Sequence, residues 1–158
     1  MLRTAPQPAG WELGPALAAG LTLRFYPTFQ ICKTLPALRE RIAQETPEMD
    51  KWAIHGLVSQ TADGALTLGD SHEYGLAVDI FNKAEIDELI LAYTRTFLRA
   101  PEMRIAERWH GVYAKHPEKT LVTMEPEPGV RIVASPGGSG MTLSMGLGEQ
   151  TIREMGIR

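Results

Sequence analysis

One turn constrains this chain more than any other feature. Asp63-Gly64 stands between two apolar-rich runs, one from Ile54 to Thr61 and one from Ala65 to Gly69. Asp-Gly supplies the positive φ of a tight turn, so the two runs are predicted to pair as an antiparallel hairpin. Any fold available to the chain must contain a sheet built on that pair.

Other periodic segments surround it. Leu21, Leu23 and Phe25 alternate with Thr22 and Arg24, a period of two that predicts a strand from Leu21 to Tyr26, ended by Pro27. Before it, Pro6, Pro8, Gly10, Gly14 and Pro15 make the stretch after Arg3 an irregular connection. Thr34 is placed to cap a helix with Pro36 in its first turn and Leu35, Leu38 and Ile42 on one face, and Pro47 stops it. A longer helix is opened by Asn82, with Glu85 three residues on. It carries Ile86, Leu89, Ile90, Tyr93 and Phe97 on one stripe and closes at Pro101. The stretch from Met103 to Tyr113 reads as strand-like. A second hairpin turns at Glu125-Pro126-Glu127-Pro128-Gly129, between Leu121 to Met124 and Val130 to Ala134. Pro136-Gly137-Gly138-Ser139-Gly140 then opens a closing helix, with Met141, Met145, Ile152 and Met155 on one face and Gly156 at its end. Helices interspersed with antiparallel hairpins predict an α+β fold, a mixed or antiparallel sheet with flanking helices.

Composition excludes several classes. The chain has 158 residues, 44% hydrophobic and 22% charged, which is ordinary globular usage. Sixteen Lys+Arg against nineteen Asp+Glu leave a net charge of −3 and no basic run, so no nucleic-acid partner is expected. No apolar run approaches the ~20 residues of a membrane-spanning helix. Cys32 is alone, which rules out an internal disulfide, and the expected address is the cytoplasm.

Three stretches carry chemistry. Gly137-Gly138-Ser139-Gly140 follows a strand and precedes a helix, where backbone N–H groups approach a ligand and the helix N-terminus favours negative charge. The same stretch also serves simply as a flexible start to a helix. It is neither a Walker loop nor the G-x-G-x-x-G fingerprint of a first dinucleotide-binding strand. The second stretch, Trp109-His110-Gly111-Val112-Tyr113-Ala114-Lys115-His116, reads as a substrate-facing polar strand. Its histidines are six apart with no third ligand placed beside them, so no metal is expected. The third, Gly69-Asp70-Ser71-His72-Glu73, gathers ionisable groups where the first hairpin leaves the sheet. Such a turn is more often solvated than catalytic. Ser144 and Cys32 lack the surroundings of a nucleophile.

Taken in order, these residues resemble a known family. The hairpin from Val58 to Asp70, the long helix, Trp109-x-Gly111 and Gly137-Gly138-Ser139-Gly140-Met141-Thr142 before a closing helix resemble the C-terminal part of FAD-dependent amine and amino-acid oxidoreductases. That superfamily includes glycine oxidase, D-amino-acid dehydrogenase and sarcosine oxidase, and the resemblance is strongest to its branch associated with phosphonate catabolism. It implies hydride transfer from the carbon beside an amine nitrogen to the flavin, giving an imine that hydrolyses. Gly137, Gly138, Ser139, Gly140, Met141 and Thr142 would then hold the flavin.

Two departures refine that implication. The family's flavin-tethering cysteine falls on Gly111, so the resemblance implies non-covalent FAD. The carboxylate-binding arginine of glycine oxidase falls on Tyr113, and the lysine of sarcosine oxidase on Thr142. An ordinary amino acid is therefore expected to be held poorly. Lys115, His116 and His72 are the remaining cationic or potentially cationic groups near the implied site, and a lysine suits a phosphonate as a point charge. The expected substrate is a small amine or amino acid, with an aminophosphonate favoured. On this reading residues 1–115 form the substrate-binding domain. Residues 116–158 form the hairpin, glycine-rich loop and helix that would return to an FAD-binding domain. The family's N-terminal ADP-binding unit is absent from the sequence and is the expected partner. Two other readings share these features: a non-catalytic module, and a small anion-binding protein using the Gly137–Gly140 loop.

Overall fold

The computed structural model describes residues 1–134 and 137–157; Pro136, the first residue of the glycine-rich stretch, lies outside them. The chain divides into two compact units, Met1–His110 and Gly111–Arg158.

In the first unit, strand β1 (Leu2–Pro6), the short β2 (Leu17–Ala18), helix α1 (Gly20–Leu23), a 3-10 turn (Pro27–Ile31), α2 (Leu35–Glu45), α3 (Pro47–Lys51), β3 (Leu57–Gln60), β4 (Ala65–Gly69), α4 (Ala84–Phe97) and β5 (Ile105–Arg108) follow in order. The five strands form one sheet in the order β2-β3-β4-β1-β5, and every pairing is antiparallel. The fold is α+β, as the interspersed hairpins and helices predict. β3 and β4 pair with Val58 opposite Leu68 and Gln60 opposite Leu66. Their turn is set by Gly64 at φ 86 and by Asp63, whose Oδ1 accepts hydrogen bonds from the Thr61 hydroxyl and the Ala65 N–H. Those two bonds hold the Asp63 carboxyl below its usual range.

The core lies between this sheet and the helices. Leu2, Ile54, Val58, Leu66 and Leu68 from the sheet and its approaches meet Ile86, Ile90 and Leu91 of α4 and Ile42 of α2. The apolar stripe read from the sequence is thus the face that α4 buries. The helix starts two residues later than Asn82, with Lys83 at its N-cap position.

Three expectations are corrected. The stretch from Leu21 to Tyr26 is not a strand: Gly20–Leu23 is a helical turn, and Leu21, Thr22 and Arg24 are all buried, a pattern no two-residue period produces. Polar side chains override the alternation. The Thr22 hydroxyl accepts the Gly56 N–H at 2.9 Å, and Arg24 reaches inward to donate to the carbonyls of Leu21, Met49 and Ile54. The stretch after Arg3 is not irregular at once, because β1 runs to Pro6 between β4 and β5. Its Pro6 sits at the strand's end, where a missing donor is tolerated. The strand-like stretch from Met103 to Tyr113 is a strand only over Ile105–Arg108.

The second unit contains β6 (Val122–Glu127), β7 (Val130–Ala134), a 3-10 turn (Gly137–Ser139) and α5 (Gly140–Glu154). β6 and β7 form the expected hairpin, with Met124 opposite Ile132 and Gly129 at φ 80 in the turn. Arg131 on β7 pairs with Glu125 at 3.3 Å and with Glu154 at the end of α5 at 3.7 Å. α5 has no buried residue; Met141 and Met145 are 94% and 86% exposed.

Candidate functional site

The glycine-rich turn is open. Gly137 adopts φ 59, a left-handed conformation that a side chain would strain, and beyond its chain neighbours no atom of the described residues lies within 4 Å of a Cβ placed there. Ser139 occupies the N-cap of α5 without a side-chain cap bond, and the first turn carries no acidic residue. The positive end of this 15-residue helix carries no side-chain cap from Ser139. Tyr113 adjoins this turn: its hydroxyl stands 4.0 Å from the position of a Cβ on Gly138. Thr142 is exposed in the first turn of α5, and Gly111 has open space around it. Ser144 directs its hydroxyl to the Met141 carbonyl at 3.5 Å.

His116 has a local task. Its Nδ1 accepts the backbone N–H groups of Glu118 at 3.1 Å and Lys119 at 3.0 Å, closing the turn after Pro117. Those bonds require an unprotonated Nδ1, so the proton of the neutral ring lies on Nε2. Lys115, beside it, is exposed. His110, six residues earlier, belongs to the first unit, where its Nδ1 lies 2.7 Å from Asn82 Oδ1. Among the described residues no group of three or more His, Cys, Asp or Glu side chains could hold a metal ion.

His72 lies in the first unit, in a second arrangement of polar groups. Its Nε2 is 3.5 Å from Asp70 Oδ2, and both side chains are only about one-fifth exposed. It belongs to a row of four rings: Phe25 stacks on His55 at 4.1 Å, His55 meets His72 edge-on at 4.8 Å, and His72 lies parallel to Tyr74 at 6.1 Å. Burial pushes the Asp70 carboxyl above its usual range, against the opposing attraction of His72. Asp70 and His72 are thus partly packed at this turn, while Glu73 beside them is exposed. Sequence reasoning singled out Asp70 and His72 but missed His55 and Phe25. A histidine inside the apolar run Ala53-Ile54-His55 was the available signal, since a buried imidazole needs polar company.

The structure brings Tyr113 to the glycine turn and His72 to Asp70. Every candidate other than His72 belongs to the second unit.

A family model for FAD-dependent oxidoreductases matches residues 9–154, nearly the whole chain. The chain belongs to the FAD-dependent oxidoreductase family. No curated protein and no solved structure matches it. The glycine turn fits the cofactor of that family. Gly137, Gly138 and Gly140 carry no side chain, the space beside a Cβ on Gly137 is open, and α5, which follows the turn directly, starts without a side-chain cap. No helix among the described residues is long and apolar enough to cross a membrane.

Proposed function

We propose that this chain is the substrate-domain part of an FAD-dependent oxidoreductase that oxidises the C–N bond of a small amine or amino acid, with aminophosphonates as the favoured substrates. Family membership supports the redox class, and the open turn at Gly137–Ser139 leading into an uncapped α5 carries the reading. Gly137, Gly138, Ser139, Gly140, Met141 and Thr142 would hold non-covalent FAD, with Gly111 leaving space where a tethering side chain would project. When bound, FAD supplies the acceptor for a hydride taken from the carbon beside the amine nitrogen.

The chain's own residues bind and orient. Backbone N–H groups at the start of α5 stabilise negative charge beside them, aided by the helix dipole. Tyr113, beside Gly138, offers a hydroxyl to the substrate and carries no charge to fix a carboxylate. Lys115 supplies a cation for a phosphonate, with Thr142 and His116 as further polar contacts. His116 would act through Nε2, because its Nδ1 closes the 117–119 turn. An ADP-binding half bearing the G-x-G-x-x-G fingerprint, which residues 1–158 do not contain, completes the proposed cofactor site.

The test compares turnover of glycine and of 2-aminoethylphosphonate derivatives by the FAD-loaded enzyme. A higher kcat/KM for the phosphonates is expected; equal values would overturn the substrate assignment.

A further inference from the structure

The second unit holds its helix with little apolar contact. In α5, Gly140, Leu147 and Thr151 are half-buried and the other residues are exposed. Their spacing of seven and four puts them on one stripe. Only Leu147 offers a large apolar side chain there, and the Thr151 hydroxyl donates to the Leu147 carbonyl at 2.7 Å. So narrow a stripe leaves the lie of the helix on the β6–β7 hairpin weakly fixed by burial.

A row of polar contacts crosses from the hairpin to the helix, all within the second unit. Glu125 Oε1 accepts the Gly129 N–H at 3.2 Å, and its Oε2 accepts from Arg131 Nη2 at 3.3 Å. The other terminal nitrogen, Arg131 Nη1, stands 3.7 Å from Glu154 Oε2, and Glu154 Oε1 accepts from Gln150 Nε2 at 2.8 Å. Arg131 thus joins β7 to the last residue of α5 through separate arms of one guanidinium. Its side chain is 21% exposed, against 79% and 70% for the Arg153–Glu149 pair on the helix surface. From Gly140 to Glu154 the helix axis rises about 21 Å. A contact at that end acts as a lever: a swing of the last turn changes where the first N–H groups of α5 point.

We propose that Arg131 is a positioning residue: its guanidinium braces α5 against the hairpin and so sets the angle at which the glycine turn presents its backbone N–H groups to FAD. The inference rests on the reading of that turn as the loop that holds the flavin. Arg131 acts through α5 rather than by touching FAD. The fork is what the brace requires, because a lysine has a single nitrogen for the two carboxylates. An ion pair of this length and exposure is worth up to about five-fold in an equilibrium constant. Where one leucine is the main apolar contact, that is enough to decide the angle.

The test records amide ¹H–¹⁵N spectra of the 158-residue chain for the wild type, Arg131→Met, Glu154→Gln and the double variant. Both single variants are expected to shift the signals of Gly137, Gly138 and Gly140, while those of Val122 and Ala134, paired at the open end of the hairpin, stay in place. The double variant should shift the turn no further than Arg131→Met, because the two changes remove the same contact. Arg131→Lys should give an intermediate pattern. Turn signals that keep their wild-type positions in both single variants would overturn the proposal. If Arg131→Met does not fold, Glu154→Gln, which leaves the hairpin untouched, gives the same reading. In the enzyme in which this chain is joined to its ADP-binding half, the Kd for FAD is expected to rise about two- to five-fold in each single variant. If the turn signals move and the Kd for FAD does not, the bracing by Arg131 stands and the turn loses its part in holding FAD.

Discussion

The ring of Tyr93 lies so close to Gly56 that a Cβ placed on the glycine would stand 2.5 Å from Cε1, and 2.8 Å from the Cβ of Ala19. The same tyrosine accepts the Leu21 N–H through its hydroxyl at 3.1 Å, so the far end of one side chain ties α4 both to α1 and to the residue that leads into β3. Gly56→Ala forces that ring away and is expected to destabilise the protein by about 1–3 kcal/mol. The measurement is the urea midpoint at unchanged slope. Combining Gly56→Ala with Tyr93→Leu should cost less than the sum of the two, because the clash disappears with the ring.

Arg24 is the polar centre of the first unit. At 4% exposure it donates to the carbonyls of Leu21, Met49 and Ile54 and pairs with Asp50 at 3.3 Å. Burial lowers its pKa, and Asp50 opposes that shift. Arg24→Met leaves three carbonyls without their donor and is expected to cost about 3 kcal/mol in chemical denaturation. Arg24→Lys should recover only part of this, since one ammonium cannot reproduce the guanidinium fork.

These two residues also show where the sequence was legible and where it was not. Hairpin β3–β4 was readable because Asp63-Gly64 encodes its turn locally, and α4 because five apolar residues mark its stripe. The turn at Gly20–Leu23 was hidden because its conformation depends on distant partners: Gly56 for Thr22, Met49 and Ile54 for Arg24. β1 was hidden because two nearby prolines masked it, and because its buried Thr4 is satisfied by accepting the N–H of Leu66, sixty-two residues away. In the candidate site, the glycine turn was visible as composition. The approach of Tyr113 to Gly138 and the ring column through His55 depend on tertiary packing, which no local pattern reports.

Asp70 gives a pH dependence with a definite sign. Its carboxyl pKa is raised in the folded protein, first by burial. The folded state therefore holds this proton to higher pH than the unfolded chain, whose ordinary value is 3.8. The contribution to stability is fully present below that value and is lost as pH rises through the raised one. Compared with Asp70→Asn, which has no such proton, the wild type should lose stability across this window. Parallel stability–pH curves for the two proteins would contradict the account.

His116 is expected to behave as a turn cap whatever its part in binding. His116→Ala removes the acceptor for the Glu118 and Lys119 N–H groups and should cost about 0.5–2 kcal/mol, in the range of other side-chain caps. His116→Asn, whose amide oxygen can accept the same donors, should restore part of the loss. Hydrogen exchange at the amides of residues 118 and 119 reads the effect directly, with faster exchange in the alanine variant.

The most direct test of the central claim is the visible spectrum of the enzyme in which this chain is joined to its ADP-binding half, titrated with FAD, followed by anaerobic addition of a 2-aminoethylphosphonate derivative. The account expects saturable perturbation of the flavin bands, bleaching of those bands by the amine, and weaker FAD binding in Gly137→Ala, where φ 59 strains any side chain. Flavin bands that are unperturbed by the protein, or bound flavin that no amine bleaches, would contradict it.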